Sequence, residues 1–178
     1  MCNNTKQKIA QALRQLMLQR PFQKITVGNL MDATGMKRQS FYYHFQDTRD
    51  VLMWICQQEL MEPLQSSNLS LTDWIILAMN LIDKDRIFYR RMLEAAGNEF
   101  VREFDSNVMR PKMVEALYGS NPLLTKGQQF AVEFAAQATT TRLILFAESR
   151  KPLNEAESRE KIRFLLTTLR SGIPVDTQ

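Results

Sequence analysis

Histidine occurs once and cysteine twice in 178 residues, which excludes most metal and disulfide chemistry. Cys2 and Cys56 stand far apart with no histidine beside either, so neither a disulfide framework nor a zinc knuckle can be read. The single histidine, His44, has no second histidine or nearby cysteine with which to complete three or four ligands. No metal and no cofactor are expected. Long apolar runs are missing too: the longest, WIILAM at 74–79, falls far short of the roughly 20 residues that cross a bilayer. The opening MCNNTKQKIAQ is polar from the start, which predicts a soluble, cytoplasmic chain with no membrane partner. Glycine and proline, six of each, punctuate singly rather than in tracts, and there is no internal repeat or low-complexity linker. An enzyme needs a nucleophile with its base, or paired acids, and nothing here assembles either.

What the chain does carry is charge, unevenly spread. Residues 1–50 hold eight Lys/Arg against three Asp/Glu, whereas residues 51–178 hold fifteen against sixteen. All the positive excess behind the net charge of +4 therefore lies in the first fifty residues. A small basic module on a near-neutral body commonly meets phosphate.

Periodicity predicts helix nearly throughout, so the fold class is all-α. Ile9, Leu13, Leu16 and Met17 recur at helical spacing over about 5–19, and Pro21 stops that helix. Thr26 is placed to cap a short second helix with Val27, Leu30 and Met31 inward, which Gly35 ends. A third helix is expected over 37–44, and Asp47 caps a fourth. Two short helices joined by a glycine-containing turn and braced by a longer one is the helix-turn-helix arrangement. The organisation expected is residues 1–50 as that module and residues 51–178 as a helical body.

The third helix has an unusual surface. At about 100° per residue, Phe41 and Phe45 share the face directed at the core. Gln39, Ser40 and Tyr43 share the opposite face. Tyr42 lies on one flank, and Lys37 and His44 lie on the other. Such a ridge between two flanks suits the major groove of double-stranded DNA, with the flanks reaching the phosphate walls. A merely solvated face accounts for Lys37, Arg38 and Gln39 but gives no reason for two adjacent exposed tyrosines.

The stretch ITVGNLMDATGMKRQSFYYHFQDTRDVL, spanning Thr26 to Leu52, resembles the N-terminal DNA-binding domain of the TetR family of bacterial transcription regulators. Gly35, Phe41, Tyr42, His44 and Phe45 stand where the family pattern G-V-S-x-x-x-L/F-Y-x-H-F places its turn glycine, core aromatics and phosphate-binding Tyr and His. The resemblance implies phosphate contacts from Thr26, Tyr42 and His44, and base or nearby backbone contacts from Lys37, Gln39, Ser40 and Tyr43. It differs at the start of the fourth helix, where the family's frequent lysine is replaced by Thr48 with Arg49 next. A threonine hydroxyl and helix N-terminal amides can still hold a phosphate.

In the body, helices are expected over 51–62, 70–83, 85–96, 98–118, 123–150 and 154–171, with Pro63, Pro111, Gly119 and Gly172 among the stops and Pro111 kinking or dividing the fourth of these. Capping boxes are expected at Thr125/Gln128 and Asn154/Glu157. The last two helices carry Phe130, Phe134, Leu143 and Phe146, then Ile162, Leu165, Leu166 and Leu169, more than one inward stripe needs. That surplus predicts a two-fold, four-helix interface and hence a homodimer. Large flexible and aromatic side chains gather at Met79, Phe88, Tyr89 and Met92, together with Phe100, Phe104, Met109 and Met113. The resemblance implies that such a domain encloses a small-molecule effector pocket, although Met and Phe at helical spacing equally describe a core. The segment IDKDRIFYRRML at 82–93 is similar to the C-terminal region of the subgroup containing dihydroxyacetone-kinase regulators. A repressor binding a pseudo-palindromic operator is the function these resemblances imply. The rival class is a protein-interaction adaptor whose C-terminal domain binds another regulator.

Overall fold

A computed structural model describes residues 2–65, 68–120 and 122–171, so the stop expected at Gly172 lies outside the described residues. The described residues are all-helical. Helix α1 (Cys2–Gln19) buries Ile9, Leu13, Leu16 and Met17 along one stripe, ends before Pro21, and is followed by a 3-10 turn at Phe22–Lys24. Helix α2 (Val27–Thr34) starts at a reciprocal cap. The Thr26 hydroxyl accepts from the Asn29 amide at 3.2 Å, and the Asn29 side chain accepts from the Thr26 amide at 3.0 Å. Gly35 ends it at φ 68°, where a side chain would be strained. Helix α3 (Arg38–Tyr42) and α4 (Thr48–Cys56) complete the module, with α1 packed on α2 and α4. Helix α3 is shorter than the expected 37–44, because the chain must turn after His44 to reach the cap of α4 at Asp47.

The expected stop at Pro63 is not a stop. A π-helical turn, Gln57–Met61, follows α4, and the chain continues into α5 (Glu62–Gln65). In that turn the Glu62 amide reaches back five residues to Gln57, and the widened ring relieves the clash and missing donor that proline brings. The device is repeated at Pro111. Helix α6 (Leu71–Lys84) is capped by Ser70, and α7 (Arg86–Phe104) leads through a second π-helical turn, Asp105–Met109, into α8 (Arg110–Tyr118). There the Arg110 amide reaches back to Asp105, one residue before Pro111. Helix α7 is itself interrupted at Gly97 (φ 71°, ψ −171°), at the join between the expected helices 85–96 and 98–118. Helix α9 (Lys126–Glu148) begins at the Thr125/Gln128 box, and α10 (Glu155–Ser171) closes the described chain. At Asn154 only half of the expected box forms, since Glu157 turns outward to Lys161.

One apolar core runs without interruption from Ile9 in α1 to Ala147 in α9. It crosses residue 50, and the 50/51 boundary falls inside α4, whose Val51 and Leu52 are fully buried. The indole of Trp74 is buried at the centre of the body and donates to the Leu64 carbonyl at 2.9 Å.

Cys56 shares this core. Burial, with the nearby Glu59 charge adding to it, pushes its thiol from 9.0 up to about 12. Because the folded chain holds this proton more tightly than the unfolded one, the stability it contributes is complete below pH 9. It drains away as the pH climbs from 9 towards 12. In a Cys2→Ser variant, Cys56 is expected to resist Ellman's reagent at pH 8 and to react at once in denaturant. Rapid reaction of the folded protein would contradict that burial.

Candidate nucleic-acid interface

The short helix α3 is held from behind and bare in front. Phe41 is 0% exposed and Phe45 3%, their ring centroids 6.0 Å apart, and both belong to the module's core. On the other side Gln39 is exposed, and Tyr42 and Tyr43 are 59% and 79% exposed. Lys37 and Arg38 are exposed, while Ser40 is half-buried, deeper than a ridge position. His44 is half-buried, with its ring edge-on to Tyr43 at 4.9 Å. The Lys6 ammonium lies 5.4 Å from the Phe45 ring and 5.9 Å from Trp54, a further cation on this module.

The two helix N-termini beside α3 differ in charge. At α2, a methyl group placed on Gly28 would lie 3.4 Å from an Arg38 guanidinium nitrogen and 3.4 Å from the Thr26 hydroxyl. Arg38, Thr26 and the first amides of α2 thus share one corner, a favourable setting for an anion. At α4 the N-terminus carries two carboxylates. Asp47 accepts from the Asp50 amide at 2.8 Å, and the Asp50 carboxylate accepts from the Gln46 amide at 2.9 Å. A phosphate at Thr48 would meet both carboxylates. Arg49, the cation that might offset them, is turned away: its guanidinium donates to the Ala96 carbonyl in α7 at 3.2 Å. The sequence pattern offered no sign of this contact.

A second arginine ties the module to the body. Arg14 of α1 makes ion pairs with Glu59, in the first π-helical turn, and with Asp85, the N-cap of α7. Its guanidinium also lies 3.9 Å from the Phe88 ring centroid. Asp85 accepts from the Phe88 amide at 3.2 Å as well, so one carboxylate serves both helix cap and bridge.

In the body, the residues assigned to an effector pocket do not line one space. Tyr89, Met92, Phe100 and Phe104 line a small cavity of about 40 Å³ among α6, α7 and α9. Met79 and Met113 lie along a larger groove of about 530 Å³ between α9 and α10. Phe88 and Met109 line neither and are fully buried. The small cavity has room for only a few waters, whereas small-molecule sites commonly span about 300–1,000 Å³.

The apolar surplus of the last two helices is divided as well. Phe130 and Phe134 are 68% and 66% exposed and stack on each other at 6.3 Å, and Leu165 is exposed with them. Leu145 and Phe164, which spacing did not single out, join the exposed set. Leu143 is buried inside the subunit, where it borders both the small cavity and the α9–α10 groove. Phe146, Ile162, Leu166 and Leu169 are half-buried against the core, because α10 packs on α6 and α8. Helix α10 is further pinned by Arg159, which bridges to Asp73 at the start of α6. Hydrogen bonds from Ser70 and Arg159 hold the Asp73 carboxyl below the ordinary carboxylate range.

Among the described residues no helix is long and apolar enough to cross a membrane, and no group of three His, Cys, Asp or Glu side chains is placed to hold a metal. No family model matches the chain. Over 91 residues it is 30% identical to the HTH-type dhaKLM operon transcriptional activator DhaS of Lactococcus lactis subsp. lactis (strain IL1403). The match spans 49% of this chain and 48% of that protein, about half of each. Among solved structures the chain is similar to the dihydroxyacetone kinase operon activator DhaS, with a TM-score of 0.68 at 21% identity. That superposition covers 94% of this chain and 97% of the other, so the two share their fold from end to end. Both similar proteins are transcription regulators, not enzymes.

Proposed function

We propose that the protein is a DNA-binding transcription regulator of the TetR type that acts as a homodimer on a pseudo-palindromic site. The observation that carries this reading is α3, whose exposed polar ridge stands on two buried phenylalanines within a module holding all of the chain's positive excess. In this reading Gln39 and Tyr43 face the base edges. Lys37, Tyr42 and His44 approach the phosphates beside them, and Thr26 and Arg38 approach the phosphate at the α2 corner. Ser40, half-buried, has a smaller share. Thr48 is left out of the contact set because Asp47 and Asp50 surround its helix end.

The resemblance on its own implies a repressor, but both similar proteins are named activators, and activation is the reading we adopt. The exposed aromatics of α9 and α10 supply the dimer contact. Two copies then place their α3 helices about one duplex turn, roughly 34 Å, or a multiple of it apart. A small-molecule effector finds space in the larger α9–α10 groove rather than in the small cavity. The narrowness of that cavity also favours a second reading, in which a protein partner rather than a small molecule acts on the exposed apolar face.

Binding-site selection from a random duplex pool tests the DNA reading. Tyr42→Phe is expected to weaken all selected sequences alike, because a lost phosphate contact carries no base information. Gln39→Ala is expected to relax discrimination at one base pair by about 1–3 kcal/mol. Unchanged affinities and profiles in both variants would remove these residues from the interface. A wild-type protein that selects no sequence, yet retains a second protein through its C-terminal face, would establish the adaptor instead.

A further inference from the structure

Arg49 stands one residue into α4, beside the face that meets DNA in the reading above, yet its guanidinium points into the body. Its Nη2 donates to the Ala96 carbonyl at 3.2 Å and lies 3.7 Å from the Glu99 carboxylate. That carbonyl is open to an outside donor because Gly97 leaves the helical backbone immediately after it. In an unbroken helix the Ala96 carbonyl would accept from the Phe100 amide. Beyond the adjoining backbone of α7, no heavy atom lies within 4 Å of where a side chain at Gly97 would begin. Glycine is therefore demanded by the backbone angle, not by space.

We propose that Arg49 is a positioning residue: it fixes the first turn of α4 against the break in α7, and does so without touching nucleic acid. Helix α4 follows α3 after a five-residue link, Tyr43 to Asp47, so the angle at which α3 is presented follows the position of that first turn. The break in α7 lies between Met92 and Leu93 on one side and Phe100 and Val101 on the other, all four lining the small cavity. Any change in the bend of α7 at Gly97 moves the acceptor that Arg49 holds. The consequence for DNA rests on the reading proposed above; the link between α4 and α7 does not.

The test uses Arg49→Ala, Gly97→Ala and the double variant of the full chain, with thermal melts to show that each is folded. Alanine at Gly97 drives that position towards the helical region and returns the Ala96 carbonyl to the Phe100 amide. Hydrogen exchange is read first, on the protein without DNA. Both single variants are expected to speed exchange of the Asp50 and Val51 amides, which donate to Asp47 at the start of α4, about tenfold, an opening local to that end of the helix. Affinity is then read on a duplex selected by the wild-type protein. Arg49→Ala should weaken binding about fivefold, the scale of one partly exposed charge-assisted hydrogen bond. The slope of log affinity against log salt should not change, whereas loss of a phosphate contact lowers it by about 0.9. The double variant should bind no worse than the weaker single one, since both substitutions break one contact. Arg49→Lys, with charge but no fork, should recover part of the loss. A shallower salt slope would reassign Arg49 to phosphate, and additive losses would separate it from Gly97. Unaltered exchange would end the proposal whether or not DNA binds. A wild-type protein that holds no duplex at any salt would instead sink the DNA reading while exchange still decides the role of Arg49.

Discussion

Replacing Phe41 with alanine is expected to remove roughly 3–5 kcal/mol of folding stability and to abolish duplex binding near the variant's melting temperature. Helix α3 has five residues, too few to hold together on its own propensity. Its cap residue, Lys37, contributes no side-chain hydrogen bond. What fixes the helix is the Phe41 ring, fully buried, edge-on to Tyr42 at 5.4 Å and tilted against Phe45 at 6.0 Å. Truncation leaves a cavity beneath the very turn that carries Gln39 and Tyr43. For a domain whose whole stability lies in the usual range of about 5–15 kcal/mol, such a loss is a large fraction. Urea unfolding measures it directly, and a loss below about 1 kcal/mol would mean that other contacts hold α3. Binding measured well below the melting temperature separates lost stability from lost geometry.

Phe134→Asp is expected to dissolve the homodimer and to lower affinity for a two-fold site by about a hundredfold to ten-thousandfold. That range is the gain when a second binding event becomes intramolecular. Two thirds of the Phe134 surface is exposed, so the fold of the single subunit should survive the substitution. A carboxylate at the centre of an apolar contact, opposed by its symmetry mate, is strongly unfavourable in a two-fold interface. Sedimentation velocity reads the mass change, and titration on one half-site should show little difference from the wild type. A variant that remains dimeric with unaltered affinity would remove the α9–α10 face from the assembly. Wild-type protein that is monomeric at every concentration would direct attention to a heterologous partner for the exposed phenylalanines.

Much of this architecture could be read locally. Pro21, Ser70, Thr125 and Gly119 mark helix ends because caps and breakers act on their immediate neighbours. The opposed faces of α3 follow from the spacing of Phe41, Phe45, Gln39 and Tyr43 alone. Pro63 misleads because its cost is relieved by a widened turn ahead of it, and nothing in the local sequence announces that turn. The links between module and body were illegible for another reason. Arg49 finds its carbonyl 47 residues away and Arg14 its carboxylate 71 residues away, and neither separation leaves a periodic trace. The pocket residues were mixed for a third reason: Met and Phe at helical spacing look alike whether they border a cavity, floor a groove or fill the core.

The widened turns before Pro63 and Pro111 bear on how this fold changes over descent. Each amounts to one surplus residue in an otherwise regular spiral, and it rotates everything downstream by about 100°. Leu64 points inward only after that offset. A lineage that lost the proline would have no use for the surplus residue, and one that deleted the residue alone would swing Leu64 towards water. Proline and insertion should therefore be gained and lost together among descendants of the same ancestor.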